Sequence, residues 1–446
     1  MQHRRLAFLR TALVTFVLAA CIGCATAFAQ DTSGTVWPTK EWLTSTPEEQ
    51  GMDSAALARL LDFGTTLSFD SLLIARHGRI VLDAYYGRYA ADVPHKMNSA
   101  TKAVIGTLAA IAYKDGLLDS LNHPALDFFG DRSVALDLLG GRLLGGRSIA
   151  DLDDERKAKA MTVQSLLDMT SGIDWRETDG RSDTFTDMER SPDWIRFILD
   201  RPMSAMPGET FNYNSGNPHL VSAIVTKLTG MSAADYAKAR LFGPLGISAS
   251  YWRHDPQGVT TGGNGLSMLP RDMAKIGYLY LRNGEWDNKR LLPPDWIDSV
   301  SHASVNMRMS REPDMRYSNF FWALPNKHVY MAVGYHCQLI MVFTELDIVA
   351  VTTARDFCPF SKLADSISSA VKSDKALPPD PTGADLLASK IRDISTHRRY
   401  DDPVPQAPEI VGRKQTFEPR LLMRPVQLAA DLGISSGLRT SVFRRV

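Results

Sequence analysis

The pattern of apolar and polar positions predicts strands near both ends of the central chain and helices between them. Apolar residues recur at helical spacing over Asp53–Phe63, and two short apolar runs at Leu72–Ala75 and Ile80–Tyr85 flank a His77-Gly78 turn. A period of 3.6 positions indicates a helix, and two apolar runs separated by a turn dipeptide indicate paired strands. We therefore predict a helix followed by a β-hairpin.

The next helical pattern covers Ala103–Asp115, and Gly116 stands where a C-terminal cap is expected. Ser99 lies at the mouth of this helix, and Lys102 follows three residues later. Side chains three residues apart lie on one face of a helix, one turn apart. The hydroxyl and the amine are therefore expected to meet.

Helical patterns dominate the middle of the chain, after an irregular segment rich in Gly and Asp at Leu117–Ala160. The predicted helices begin with one capped by Thr162 and continue at Trp194–Leu199, Leu220–Thr229, Ser232–Leu241 and Arg271–Arg282. Apolar strand patterns then return at Tyr317–Trp322, Val329–Val333, Gln338–Phe343 and Ile348–Thr353, before a helix at Ser361–Val371.

This order of elements predicts an α+β fold in which an antiparallel sheet is flanked by helices and carries an all-helical insertion. Segments 30–115 and 265–375 are expected to form one discontinuous α/β domain, and residues 116–264 are expected to form the helical domain. Residues 376–446 contain two proline-bearing linkers, a short helical pattern and a tail rich in arginine. The short helical pattern covers Asp385–Ile394, and we expect the tail from Arg413 to pack poorly or to be disordered.

The first 29 residues resemble a signal peptide, because a basic start is followed by the apolar run Thr11–Ala25 and the cleavage pattern Ala27-Phe28-Ala29. Such a segment directs export from the cytoplasm, and we therefore predict a periplasmic or secreted protein. A competing pattern, Leu18–Cys21, resembles a lipobox. If the lipobox is used, the protein is instead a lipoprotein that is tethered to the membrane through Cys21.

Charge and cysteine content exclude some roles and leave one question open. Lys+Arg and Asp+Glu number 50 each, so no global field favours nucleic acid as a partner. The ten histidines show no paired metal-ligand spacing, and we predict neither a metal nor another cofactor. Outside the leader only Cys337 and Cys358 remain, and either a disulfide or two free thiols is compatible with their positions.

Ser99 and Lys102 suggest a nucleophile that needs no histidine. A lysine kept neutral by desolvation can accept a serine proton, and a helix N-terminus can stabilise a developing oxyanion. The alternative interpretation is a helix-capping serine beside a solvated lysine. Two other serine motifs are interpreted as chance matches: Ser369–Lys372, on an amphipathic surface helix, and Gly433–Gly437, which no Asp or His follows.

Three motifs together resemble the serine β-lactamase-like family over about residues 37–376. They are Ser99-Ala100-Thr101-Lys102, Tyr213-Asn214-Ser215 and Ala332-Val333-Gly334. The family includes penicillin-binding carboxypeptidases, class C β-lactamases, family VIII esterases and 6-aminohexanoate-dimer hydrolases. The resemblance implies a β-lactamase/transpeptidase-like fold.

The resemblance also implies roles for individual residues. Tyr213 would share protons with Lys102 and Ser99, acting as the acid for the leaving group. The backbone N–H groups of Ser99 and Tyr335 would form the oxyanion hole, and Gly334 would allow close approach of substrate. His336 either binds substrate or is a strand histidine bonded to the backbone.

The chain departs from the family pattern where substrate is held. Ser215 replaces an asparagine that orients substrate, and Ala332 and Val333 replace the lysine and threonine that meet a carboxylate. The resemblance therefore favours an exported serine hydrolase acting on an ester or amide in a small or peptide-like substrate, nearest the 6-aminohexanoate-dimer hydrolase branch. A β-lactamase or D-Ala carboxypeptidase is less favoured. A non-catalytic binding or envelope scaffold protein is the alternative from another class.

Overall fold

The computed structural model describes residues 35–129, 149–177, 183–248, 250–308, 312–357 and 359–396. The predicted signal peptide, the Gly433–Gly437 motif and the arginine-rich tail from Arg413 lie outside these residues, as does Cys358. Cys337 is disulfide-bonded, which excludes the free-thiol alternative for this residue. No helix in the described part of the chain is both long enough and apolar enough to cross a membrane.

Fourteen strands are present in the described residues, and most are short. In chain order they are β1 Leu43–Thr44, β2 Phe69–Arg76, β3 Arg79–Tyr85, β4 His95–Lys96, β5 Ser250–Trp252, β6 Leu266–Met268, β7 Glu285–Trp286, β8 Lys289–Arg290, β9 Val305–Asn306, β10 Arg316–Ser318, β11 Phe321–Leu324, β12 Val329–Gly334, β13 Gln338–Phe343 and β14 Ile348–Ala354.

Nine of these strands form the central sheet, in the order β1-β3-β2-β14-β13-β12-β11-β10-β9. The edge strand β1 runs parallel to β3, and the other neighbours are antiparallel. The N-terminal hairpin joins the C-terminal strands where β2 pairs with β14, with Leu73 opposite Val351. The predicted antiparallel sheet, built from two distant chain segments, is therefore confirmed.

The helices are distributed along the chain as follows: α1 Ser54–Thr66, α2 Thr101–Lys114, α3 Ile149–Lys159, α4 Val163–Leu167, α5 Thr184–Arg190, α6 Trp194–Leu199, α7 Gly216–Thr229, α8 Ala233–Ala237, α9 Gly243–Leu245, α10 Pro270–Leu281, α11 Pro294–Ser301, α12 Phe360–Ser369 and α13 Pro381–Thr396. Short 3-10 turns cover Glu48–Gln50, Asn98–Ala100, Ala125–Phe128 and Pro325–Lys327, and a π-helical turn covers Lys238–Phe242.

Local chemistry explains where several helices begin and how they meet the sheet. The Asp53 side chain accepts a hydrogen bond from the Ala56 N–H at 2.9 Å, which caps α1 as predicted. Helix α10 packs on β13 and β14. A Cβ at Gly277 would come within 3 Å of Val349 and Ile340, so this glycine permits a close helix-to-sheet contact. Helix α2 is almost wholly buried and packs against α7.

The structure divides one predicted strand into two. Tyr317–Trp322 was expected to be continuous, but β10 and β11 form a tight hairpin around Asn319 and Phe320, whose φ angles are 51° and 65°. The Asn319 N–H donates to Asp168 Oδ1, and the Phe320 N–H donates to Leu167 O, each at 3.0 Å. These tertiary bonds stabilise left-handed backbone that the apolar pattern does not reveal.

Two helices lie outside the main predicted set, one in a segment expected to be irregular and one after the predicted sheet and its last helix. Helix α3 lies within the stretch expected to be irregular, and the ion pairs Lys157–Asp153 and Lys159–Glu155 link its successive turns. Helix α13 contains the short helix predicted at Asp385–Ile394. It packs on α1, and its buried residues include Leu387 and Ile394. The tail from Arg413, for which poor packing was expected, lies outside the described residues.

Candidate active site

Ser99 and Lys102 meet at the N-terminus of the buried helix α2. Ser99 belongs to the 3-10 turn that leads into α2, and Lys102 lies in its first turn. The Lys102 ammonium nitrogen Nζ donates to Ser99 Oγ at 2.9 Å and to the Gly263 carbonyl at 2.8 Å. Lys102 is only 1% exposed, whereas Ser99 is half-buried. The lysine is therefore held against the hydroxyl and away from solvent.

Burial makes Lys102 a usable base. Desolvation lowers the pKa of Lys102 from 10.5 to about 8, and the negative charge of Glu177 opposes this effect. A substantial neutral fraction is then present at mildly alkaline pH. Neutral Lys102 has a free lone pair beside the Ser99 hydroxyl, which is the arrangement that activates a serine without histidine.

Tyr213 completes this group from the loop that precedes α7. Its ring centre lies 4.8 Å from Lys102 Nζ, and Ser99 acts on its hydroxyl to lower the Tyr213 pKa. Burial, and secondarily the charge of Glu177, raise the pKa of Tyr213 well above the usual range. Tyr213 therefore stays protonated and can donate a proton, which leaves Lys102 as the better base.

The carbonyl that holds Lys102 belongs to a tightly packed glycine pair. A Cβ on Gly262 would lie 1.9 Å from Pro218 O, so the loop lies directly on the start of α7. The Gly262 N–H donates to His219 Nδ1 at 3.4 Å, and His219 Nε2 is 3.0 Å from Asp255. His219 and Asp255 are buried residues that the sequence patterns did not single out. They support the loop that positions the Lys102 amine.

The end of β12 lies against the Ser99 turn. A Cβ on Gly334 would be 2.1 Å from Met97 O and 3.2 Å from Ala100 N. Asn98 Nδ2 donates to the Tyr335 carbonyl at 3.0 Å. The structure therefore brings Gly334 and Tyr335 next to Ser99, where the oxyanion hole was predicted.

His336 lies in the turn between β12 and β13, with a φ of 60°. Its ring centre is 3.8 Å from the Tyr335 ring and 5.2 Å from the Phe357 ring. Partial burial lowers the pKa of His336, an effect that Asp356 opposes. His336 is therefore part of an aromatic group beside the site rather than a member of the Ser99–Lys102–Tyr213 group.

Ser215 faces a residue that sequence reasoning missed. Its hydroxyl donates to Glu177 Oε1 at 2.5 Å, and its N–H donates to Glu177 Oε2 at 2.7 Å. Ser215 was expected to contact substrate, but both of these donors point to the Glu177 carboxylate. The sequence around Glu177, Ile173-Asp174-Trp175-Arg176-Glu177, carries no pattern that indicates its partner.

The second Ser-x-x-Lys copy has a different environment. Ser369 and Lys372 are both exposed at the end of α12. Lys372 Nζ donates to the Ser369 carbonyl at 2.7 Å, and the Ser369 hydroxyl donates to Ser366 O. This pair provides a natural control, because it has the same spacing without the buried amine. Within the described ranges, no group of three His, Cys, Asp or Glu residues could hold a metal ion.

Replacing Gly334 with alanine is expected to lower kcat/KM by about 10²-fold, because its Cβ would displace β12 from the Ser99 turn by a fraction of an ångström or more. Steady-state kinetics on an activated ester measures this loss.

Gly116→Ala is the control, since Gly116 has a φ of +72° and open space around it. It should lose about 1 kcal/mol of stability and keep its activity. Equal activity losses in the two variants would contradict the placement of β12.

Comparisons with known proteins show the family of this chain. The family model for Beta-lactamase matches residues 54–361. A 6-aminohexanoate-dimer hydrolase of Paenarthrobacter ureafaciens is 24% identical over 332 residues, covering 69% of this chain and 79% of that protein.

Two solved structures share the fold. One, from Bacillus anthracis and provisionally named as a 6-aminohexanoate-dimer hydrolase, has a TM-score of 0.55 and 18% identity, covering 80% of this chain and 87% of that one. The other, an octameric penicillin-binding protein homologue from Pyrococcus abyssi, has a TM-score of 0.53 and 18% identity, covering 72% and 78%. At these identities the likeness shows the β-lactamase/transpeptidase-like fold.

Proposed function

This chain belongs to the beta-lactamase family, and from that premise we propose that it is an exported serine hydrolase that cleaves an ester or amide through an acyl-enzyme on Ser99. One observation carries the proposal: a buried lysine amine donates to the hydroxyl of Ser99 at 2.9 Å. A binding or scaffold role places no demand on this costly arrangement, because burying an ammonium group without a function lowers stability.

In the acylation step, neutral Lys102 accepts the Ser99 proton as Oγ attacks the carbonyl carbon of the substrate. The N–H groups of Ser99 and Tyr335 stabilise the negative charge that develops on the carbonyl oxygen. The bond to the leaving group then breaks, and the leaving group takes up a proton from Tyr213, which Lys102 replenishes. The product of this step is an ester between the acyl group and Ser99.

In the deacylation step, a water molecule attacks the acyl-enzyme carbonyl. The Lys102–Tyr213 pair accepts a proton from this water and returns one to Ser99 Oγ as the acid product leaves. The two half-reactions use the same proton carriers in opposite directions. Kinetics of the ping-pong type are therefore expected.

The substrate is proposed to be a small or peptide-like ester or amide without a carboxylate next to the scissile bond. Ala332 and Val333 offer neither a cation nor a hydroxyl where such a carboxylate would bind. The relative named as a 6-aminohexanoate-dimer hydrolase supports an amide substrate for this chain. We further propose a periplasmic or secreted location, with a tether through Cys21 as the alternative.

The pH dependence of kcat/KM tests the proposed base. Because the reactive form contains neutral Lys102, kcat/KM for an uncharged p-nitrophenyl ester should rise with pH and level off above the lysine pKa of about 8. Spontaneous ester hydrolysis, measured without protein at each pH, is subtracted. A profile that is flat or falls between pH 6 and 9 would contradict the assignment of Lys102, and absence of turnover at every pH would favour a non-catalytic role.

A further inference from the structure

Both carboxylate oxygens of Glu177 accept hydrogen bonds from protein donors. Its Oε1 accepts from the Ser215 hydroxyl, and its Oε2 accepts from the Ser215 N–H at 2.7 Å and from Trp175 Nε1 at 2.9 Å. A carboxylate with three such donors is held in one orientation and is poorly placed to attack or to accept a substrate proton. These contacts indicate a structural role rather than a reacting group, and we call the hydrogen-bonded set Glu177, Ser215 and Trp175 the clamp.

The clamp joins two chain segments that enclose Tyr213. Ser215 is two residues beyond Tyr213, and Asn212, one residue before it, donates to the Trp175 carbonyl at 3.1 Å. On the helix side, Asn214 Oδ1 accepts from the first N–H groups of α7, including that of Gly216 at 2.7 Å. Hydrogen bonds thus fix the backbone on both sides of Tyr213, and among them the bonds to Glu177 involve a charged group.

Glu177 also acts on Lys102 through charge. The described groups that face the Lys102 amine are the Ser99 hydroxyl, the Gly263 carbonyl and the Tyr213 ring. Glu177 is the charged residue that opposes desolvation of Lys102. Asp168 at the end of α4 acts on Tyr317 of β10, as do Tyr213 and Glu177, and of these charged groups only Glu177 also acts on Lys102.

Resting on the hydrolase function proposed above, we propose that Glu177 is a positioning residue that fixes the Tyr213 loop through Ser215 and stabilises the positive form of the buried Lys102 amine. Substitution of asparagine by Ser215 in the second motif then has a structural reason, because a serine can donate both its hydroxyl and its N–H to one carboxylate. The two effects, clamping and charge, are separable by mutation.

Glu177→Gln removes the charge and keeps most of the clamp. The amide oxygen can still accept from the Ser215 N–H and Trp175, while the amide nitrogen can donate to a rotated Ser215 hydroxyl. The midpoint of the kcat/KM profile against pH should fall by about one unit, because the ammonium form of Lys102 loses its opposing charge. Ser215→Ala keeps the charge and weakens the clamp, so kcat should fall about tenfold with an unchanged midpoint.

Glu209→Gln is the matched control, because Glu209 is exposed and lies four residues before Tyr213. Loss of that solvent-screened charge should leave the midpoint within about 0.2 units of the unmodified chain. A midpoint for Glu177→Gln that stays unchanged or rises would overturn the proposal, whatever the effect on rate.

A double-mutant cycle on stability tests the same coupling without turnover. Glu177→Gln should lower the Tm of the full chain at pH 7 more when Lys102 is present than in the Lys102→Met background. Equal losses in both backgrounds would overturn the coupling. Because this measurement needs no substrate, an inactive chain that shows the coupling would refute the hydrolase proposal while supporting the placement of Glu177.

Discussion

Replacing Ser99 with alanine is expected to lower kcat/KM on an activated ester by on the order of 10⁴-fold or more, because no other described hydroxyl shares the Lys102 amine. The fold should survive, since Ser99 is half-buried and alanine removes only its hydroxyl. Lys102 keeps its bond to the Gly263 carbonyl in the variant. Activity should therefore be lost with little change in Tm.

Ser369→Ala is the control for this variant, because it changes the same residue type in the same Ser-x-x-Lys spacing on an exposed helix end. It should retain full activity. Residual activity of Ser99→Ala above about 1% of the unmodified chain would contradict the assignment of the nucleophile.

Replacing Lys102 with methionine is expected to lower kcat/KM by about 10³-fold, the usual loss when a positioned base is removed. Methionine fills a similar volume without the amine, so packing around α2 is preserved. The loss should be visible across the whole pH range, and the rise near pH 8 should disappear. A variant that keeps the pH dependence of the unmodified chain would show that another group is the base.

The same substitution is expected to stabilise the protein at neutral pH. The folded-state pKa of Lys102 is about 8 against an ordinary 10.5, so holding its charged form costs roughly 3 kcal/mol below pH 8. Loss of the bonds to Ser99 and Gly263 offsets about 1–2 kcal/mol of this gain. Stability relative to the unmodified chain should therefore rise by about 1–2 kcal/mol at pH 7, and the advantage should shrink between pH 8 and 10.5. Thermal unfolding at several pH values measures it.

The sequence patterns predicted the Ser99–Lys102 pair because its geometry is local. A spacing of three residues on a helix determines that the side chains meet, and apolar residues throughout α2 indicate that the lysine is buried. The strands β2, β3, β12, β13 and β14 were also predicted close to their observed bounds, since continuous apolar runs with clear turns specify them. Their pairing order required the structure.

Glu177 was missed because nothing local marks it. Its partner Ser215 lies 38 residues away, and the contact exists only in the folded chain. The turn at Asn319 and Phe320 was missed for a related reason, since its backbone bonds go to residues of α4 and its C-terminal end. The packing of helix α13 was not predicted, because its few apolar residues are buried only by contact with α1. Its Lys390 pairs with Asp62, which lies 328 residues away in the sequence. The apolar pattern of a segment does not indicate which distant residues will pack against it.

The central claim is that Ser99 forms a covalent acyl-enzyme, and the mass of the intact protein tests it most directly. The full chain and its Ser99→Ala variant are each mixed briefly with an activated short-chain ester and quenched in acid. The account predicts a single acyl adduct on the unmodified chain and none on the variant. An adduct of equal yield on both would mean that another residue is acylated, and no adduct on either folded protein would contradict the acyl-enzyme route.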